Sequence, residues 1–141
     1  MTTIEKGQFF LDHKALKQGK TKAKYFIVLN DGENDDDELV CIVLNTEHRM
    51  DLYKVGCNKE KQKFVLYKEH HKFDFLKEPS SLILDDPRIY QVKEFYFDNI
   101  LILDDIADEN LCRQINNCIN YNHLLPKIAR LLKDCYKRKL D

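Results

Sequence analysis

The sequence predicts an α+β fold: a small, strongly bent β-barrel of five to six mostly antiparallel strands, followed by two C-terminal helices. Three observations predict it. Short apolar and aromatic runs follow one another through the first two-thirds of the 141 residues. Beyond about residue 104 the apolar spacing changes to a helical period. Strands and helices do not alternate, as a parallel βαβ sheet would require. A chain of this length suits one domain, so residues 1–141 are read as a single unit, with the barrel over 6–100 and the helices over 104–139.

The strands are read in order. Gln8-Phe9-Phe10-Leu11 follows Gly7, and Lys24 to Asn30 is β-branched and aromatic up to the turn signal Asn30-Asp31-Gly32. Glu38 to Asn45 (ELVCIVLN) is apolar almost without interruption, which predicts burial on both faces or curvature across a barrel. Lys63 to Tyr67 and Ser81 to Leu84 are the next two, the latter stopped by Asp85-Asp86-Pro87. Tyr90 to Phe95 alternates and reads as a sixth. Phe95-Tyr96-Phe97 cannot all point inward on a strand, so at least one ring is exposed or covered by another element.

Asp108 suits the N-cap of a helix whose stripe is Leu111, Ile115, Cys118 and Ile119. Asn120-Tyr121-Asn122 breaks it. The last helix starts near Leu124-Leu125-Pro126, with proline in its first turn and a stripe of Ile128, Leu131, Leu132, Cys135 and Tyr136.

Composition narrows function. Hydrophobic residues at 43% and charged residues at 33% exclude a disordered chain. A net charge of -1 excludes a globally basic nucleic-acid binder. No apolar run is long enough to span a membrane, no secretory signal opens the chain, and a cytoplasmic location is expected. The five cysteines are odd in number, lack CxxC spacing and lie partly in apolar runs, so they read as reduced thiols. No metal site and no cofactor are expected.

The charge is unevenly distributed. Residues 14–24 hold Lys14, Lys17, Lys20, Lys22 and Lys24 and no acid, whereas residues 31–38 hold six acids and no base. The acidic run lacks the spacing of a Ca²⁺ loop and reads as a solvated hairpin loop. Lys14, Lys17, Lys20 and Lys22 read by default as a surface loop, and in the sharper reading as an anion-contact surface suited to RNA phosphates. Gln18-Gly19-Lys20-Thr21 lacks the strand-to-helix setting of a P-loop.

This order resembles the MazF/PemK-like toxins, SH3-like barrels of type II toxin–antitoxin systems. The likeness rests on Gly7 to Leu11, the lysine loop, Tyr25 to Asp31, Cys41 to Thr46, Ser80 to Asp86, Arg88 to Val92 and the helix ending at Ile119. The resemblance implies metal-independent cleavage of single-stranded RNA through its own 2′-hydroxyl, a two-fold homodimer and a cognate antitoxin or other protein partner. The family's Arg-Pro pair has no counterpart. Counting back from Asn30-Asp31 puts Ala23 there, so Lys22 or Lys24 would stand in. Thr46 matches the family's Thr or Ser after the third strand. With His48 as a proton shuttle and Arg49 as a phosphate holder, Lys24, Thr46, His48 and Arg49 form the candidate catalytic set.

Each also has a plain reading. Thr46 suits a turn cap, His48 a surface loop, Arg49 a pair with Asp51 or Glu47, and Lys24 a strand edge. The alternatives to a nuclease are a non-catalytic barrel of the same descent that binds protein or nucleic acid, and an unrelated α+β interaction protein of phage or defence origin.

Overall fold

The computed structural model describes residues 4–17 and 19–137, with the side chains of Leu16, Lys17 and Lys137 outside that description. Among the described residues, eight strands run in the order β1 (Gln8–Lys17), β2 (Lys20–Val28), β3 (Glu38–Thr46), β4 (Gly56–Asn58), β5 (Lys63–Leu66), β6 (Ser80–Ile83), β7 (Arg88–Gln91) and β8 (Ile100–Ile106). A single helical turn, α1 (Lys68–His71), follows β5, and α2 (Glu109–Cys118) and α3 (Pro126–Lys137) close the chain.

All pairings are antiparallel, in the order β4-β5-β6-β3-β2-β1-β8, with β7 also on β3. Cys41 is opposite both Val28 and Arg88, so β2 and β7 lie on opposite edges of β3. β6 continues along β7's edge, opposite Leu44 to Thr46. The Asp85-Asp86-Pro87 stop thus divides one long β3 partner into two.

The α+β order of strands then helices holds, but the sheet is open. Its end strands β4 and β8 do not pair with each other among the described residues. The apolar space that barrel closure would enclose is instead filled by α2 and α3. Their Leu111, Cys112, Ile115, Ile128 and Leu132 pack in one cluster with Phe9, Ile27, Leu29, Val40 and Ile42.

The opposite sheet face carries Phe10, Phe26, Val28, Leu39, Cys41 and Val43, roofed by Val92 and Phe95. Successive residues of β2 and β3 therefore enter different cores, as the pleat requires. This accounts for the near-continuous apolar run of β3. Phe10 and Phe26 stack at 5.2 Å, and Phe95 meets Phe10 edge-on at 4.7 Å.

Gly7 joins this sheet to the helices. Its N–H donates to the Val28 carbonyl, its own carbonyl accepts from Ala107, and its φ is +93°. A Cβ there would lie 2.2 Å from the Ala107 carbonyl oxygen, so both the conformation and the close approach demand glycine.

The helices start where the sequence places them. Asp108 caps α2 by accepting from Leu111 N–H at 2.8 Å, and Pro126 opens α3. Tyr136 on α3 donates its hydroxyl to the buried Leu29 carbonyl at 2.7 Å. The expected sixth strand is shorter: Arg88–Gln91 is extended, and Val92–Tyr96 turns as a 3₁₀ helix closed by a Gln91–Glu94 capping box. That turn buries Phe95 and leaves Tyr96 and Phe97 exposed.

The cysteines depart from expectation. Cys57 on β4 and Cys118 at the end of α2 form a disulfide, because the helix packs its last turn on the β4–β5 hairpin. Cys41 and Cys112 are buried free thiols, and burial pushes both pKa values up, Cys112 to about 12. Neither is therefore a reactive thiolate. No described helix is long and apolar enough to cross a membrane.

Candidate functional site

A buried polar constellation faces a cavity on the sheet face away from α2 and α3. β1 and β2 keep register through Asp12 opposite Lys24, then slip, so that Ala15 lies opposite Lys22. Asp12 sits at this bulge, where strands commonly re-aim side chains. It is only 5% exposed. One carboxylate oxygen accepts from Lys14 N–H at 2.9 Å and Asn99 Nδ2 at 2.8 Å. The other accepts from the Tyr90 hydroxyl at 2.6 Å. Burial, and then the Asp12 carboxylate, push the Tyr90 phenol far up, so it remains a donor.

Beside them is an open pocket of about 330 Å³, lined by Asp12, Lys14, Arg88, Tyr90, Glu94 and Phe97 among others. The Arg88 guanidinium lies 5.3 Å over the Phe26 ring and 3.6 Å from Asp86. Glu94 spends one oxygen on the Gln91 N–H. Phe97, at 54% exposure, gives the rim an aromatic face. The pocket thus combines a buried acceptor, a phenol, two cations and a ring available for stacking.

Lys20 and Lys22 extend along the same hairpin and are exposed, whereas the Lys17 side chain lies outside the described residues. The acidic loop before β3 is more ordered than a solvated loop requires. Asp37 accepts from the Glu33 and Asn34 N–H groups, while Asp36 pairs with Lys93 and the Tyr96 hydroxyl donates to Asp35. These contacts tie the loop to the turn that roofs the aromatic core.

The four residues of the candidate catalytic set do not share one hollow. Lys24 donates to Asn45 Oδ1 at 2.7 Å, on the face of Phe26 and Asp12. Thr46 is the next residue along β3, so its side chain points to the other face. There it lines a separate cavity of about 230 Å³ with Tyr25, Leu44 and Phe75. His48 is exposed beyond the strand end. Arg49 forms a two-pronged pair with Asp51 at 3.1 Å on each arm, with both side chains exposed. Strand parity decides the separation of Lys24 from Thr46: the Phe26–Val43 register, carried two residues on, brings Lys24 beside Asn45, the neighbour of Thr46 that faces the other way.

Glu47, between Thr46 and His48, has a structural role. It accepts from Ser81 Oγ at 2.7 Å and Lys63 Nζ at 2.9 Å, and Lys63 lies 4.5 Å over the Tyr53 ring. This holds the loop carrying His48 and Arg49 against β5 and β6. Its carboxyl remains below its ordinary pKa: burial alone would raise it, but the Ser81 and Lys63 hydrogen bonds outweigh that.

Sequence reasoning missed Asp12, Arg88, Tyr90 and Asn99 as a group, because they come from three distant segments. The available signal was Asp12, a single acid between the aromatic start and lysine-rich end of β1. Among the described residues, no group of three or more His, Cys, Asp or Glu side chains is placed to hold a metal. In comparisons with known proteins, the chain matches no family model and no curated protein.

Proposed function

We propose that this protein binds single-stranded RNA, as a divergent, opened relative of the SH3-like MazF/PemK-type barrels. One observation carries the reading: the lysine-bearing β1–β2 hairpin runs into a pocket where Lys14 and Arg88 lie beside the exposed Phe97 ring. Cations along a groove neutralise phosphates, and an exposed ring accepts an unpaired base whatever its identity. A net charge of -1 does not oppose this, because Lys14, Lys20 and Lys22 share one hairpin and Arg88 lines the pocket with Lys14. A homodimer and an antitoxin-type protein partner belong to the same proposal through the family likeness.

The second reading is the metal-independent endoribonuclease. It is favoured by the convergence of Asp12, Tyr90 and Arg88 at one pocket. Cleavage through a 2′-hydroxyl needs a proton acceptor and a cation for the charge that develops on phosphorus. Lys24, Thr46, His48 and Arg49 fit this chemistry less well, since they face different ways. Binding is the better supported of the two because Asp12 is already engaged by three donors.

The test is fluorescence anisotropy with a labelled single-stranded RNA. If Lys14, Lys20, Lys22 and Arg88 each neutralise a phosphate, affinity falls about 50-fold between roughly 50 and 200 mM salt. Arg88→Ala should weaken binding about tenfold or more and flatten that slope. Folded protein whose binding ignores salt, or ignores Arg88→Ala, would end the proposal. Induced expression separates the readings: growth arrest relieved by Tyr90→Phe supports the nuclease, whereas unimpaired growth with soluble protein supports binding alone.

A further inference from the structure

β8 closes one end of the sheet with an unusual surface. Its inner edge pairs with β1 from Gln8 to Asp12, and no strand among the described residues pairs with its outer edge. An edge strand offers a row of open N–H and C=O groups, and proteins usually blunt such a row with lysine, proline or a covering element. β8 contains neither lysine nor proline, and its two acids and its register slip against β1 fall in the Ile102–Ile106 end, leaving the apolar start of the strand unblunted. Leu101, Ile102 and Ile106 are 51%, 37% and 44% exposed. Leu101 and Ile102 are consecutive, so they project from opposite faces and an added strand would meet apolar surface on both.

The stretch of chain that carries this edge has charge of one sign. Residues 94–112 hold Glu94, Asp98, Asp104, Asp105, Asp108 and Glu109 and no lysine or arginine. Some of these acids are engaged: Asp105 accepts from Phe75 N–H, Glu109 pairs with Lys6, and Asp108 caps α2. Asp98 and Asp104 are exposed and form no ion pair among the described residues. This excess disfavours a second copy of the chain. Antiparallel self-pairing centred on Leu103 sets Asp104 against Ile102 and Asp105 against Leu101, and brings two acidic segments together.

We infer that the outer edge of β8 is a docking site for an extended protein segment of alternating aliphatic and basic residues, which adds to the sheet as a further antiparallel strand. Backbone hydrogen bonds to β8 hold the segment in place. Its aliphatic residues cover Leu101 on one face, and on the other its lysine or arginine heads answer Asp98 and Asp104 while their methylene stems lie over Ile102. Ile100 at the start of β8 lines the Asp12–Arg88 pocket, but the inference does not rest on RNA binding, because it uses the edge that faces away from β1.

The test uses the full chain and two labelled peptides of about ten residues, a common strand length. One alternates lysine with valine and threonine, and the other carries glutamate in place of lysine. The basic peptide should bind, protect the Ile102 and Asp104 amides from hydrogen exchange, and lose about tenfold or more in affinity with Asp98→Lys/Asp104→Lys. The acidic peptide should bind only that variant. Three results would overturn the inference: equal binding of both peptides, no binding of the basic one near 1 mM, or a dimer in sedimentation that Ile102→Lys dissolves. The last would assign the edge to a second copy.

Discussion

Opening the Cys57–Cys118 bridge is the most informative perturbation of the fold, because its cost follows from chain length. The bridge joins residues 61 apart in sequence. Closing a loop of that length removes about 14 cal/mol/K of entropy from the unfolded chain, or about 4 kcal/mol at 25 °C in the chain-entropy model. At about 2.1 cal/mol/K per residue, the unfolding entropy of 141 residues is about 0.3 kcal/mol/K. The melting temperature should therefore fall by about 10–15 °C.

The folded state should keep its shape. Gln62 Nε2 donates to the Cys118 carbonyl at 2.9 Å, Asn120 N–H donates to Gln62 Oε1 at 2.8 Å, and Lys59 Nζ reaches the Asn117 carbonyl at 3.2 Å. Cys57→Ser is the preferred variant, because it places the new hydroxyl on the half-buried side and leaves Cys118 as a small apolar thiol. The assay is thermal unfolding followed by circular dichroism, with and without reductant. Wild type should shift on reduction, and Cys57→Ser should not. Thiol titration of unreduced, denatured wild type should find the three free cysteines Cys41, Cys112 and Cys135. Five titratable thiols, or a wild-type melt indifferent to reductant, would refute the reasoning.

Two further outcomes test the frame. The Glu47 carboxyl titrates below its ordinary value of 4.5 in the folded state. Its stabilisation is therefore complete above that value and lost as pH falls through the lower folded value. Glu47→Gln should flatten the acid limb of stability, read from urea midpoints between neutral pH and about pH 3. Gly7→Ala should cost more than about 2 kcal/mol in chemical denaturation, because its Cβ would meet the Ala107 carbonyl oxygen at 2.2 Å. A cost near zero would mean that the Gly7 turn relaxes freely.

Much of the architecture was legible because it is local. The Asp108 cap, Pro126 and the stripes of α2 and α3 are decided by residues within a turn or two of one another. The β3 run predicted burial on both faces or curvature across a barrel, and the two cores meet the first of these. The shortness of β4 hid it, since three half-buried residues carry no period. β8 was obscured because Leu101, Ile102 and Ile106 are exposed, so its apolar residues do not trace a single buried face.

Of the candidate site, individual residue types were readable and their convergence was not. Thr46 and Lys24 looked like partners from their places at the ends of two strands. A one-residue difference in register sends one side chain to each face. Asp12 is distant in sequence from Tyr90 and Asn99, and it meets them only because β1 pairs with β8 while β7 pairs with β3.

The sequence by itself determined the class, strands then helices, and the two caps that start the last elements, because periodicity and capping act over a few residues. Tertiary structure alone decided whether the sheet closes, which cysteines meet and which polar groups share a pocket. Those outcomes depend on strand register and on how α2 and α3 fill the apolar space, and both are set by contacts between residues far apart in the chain.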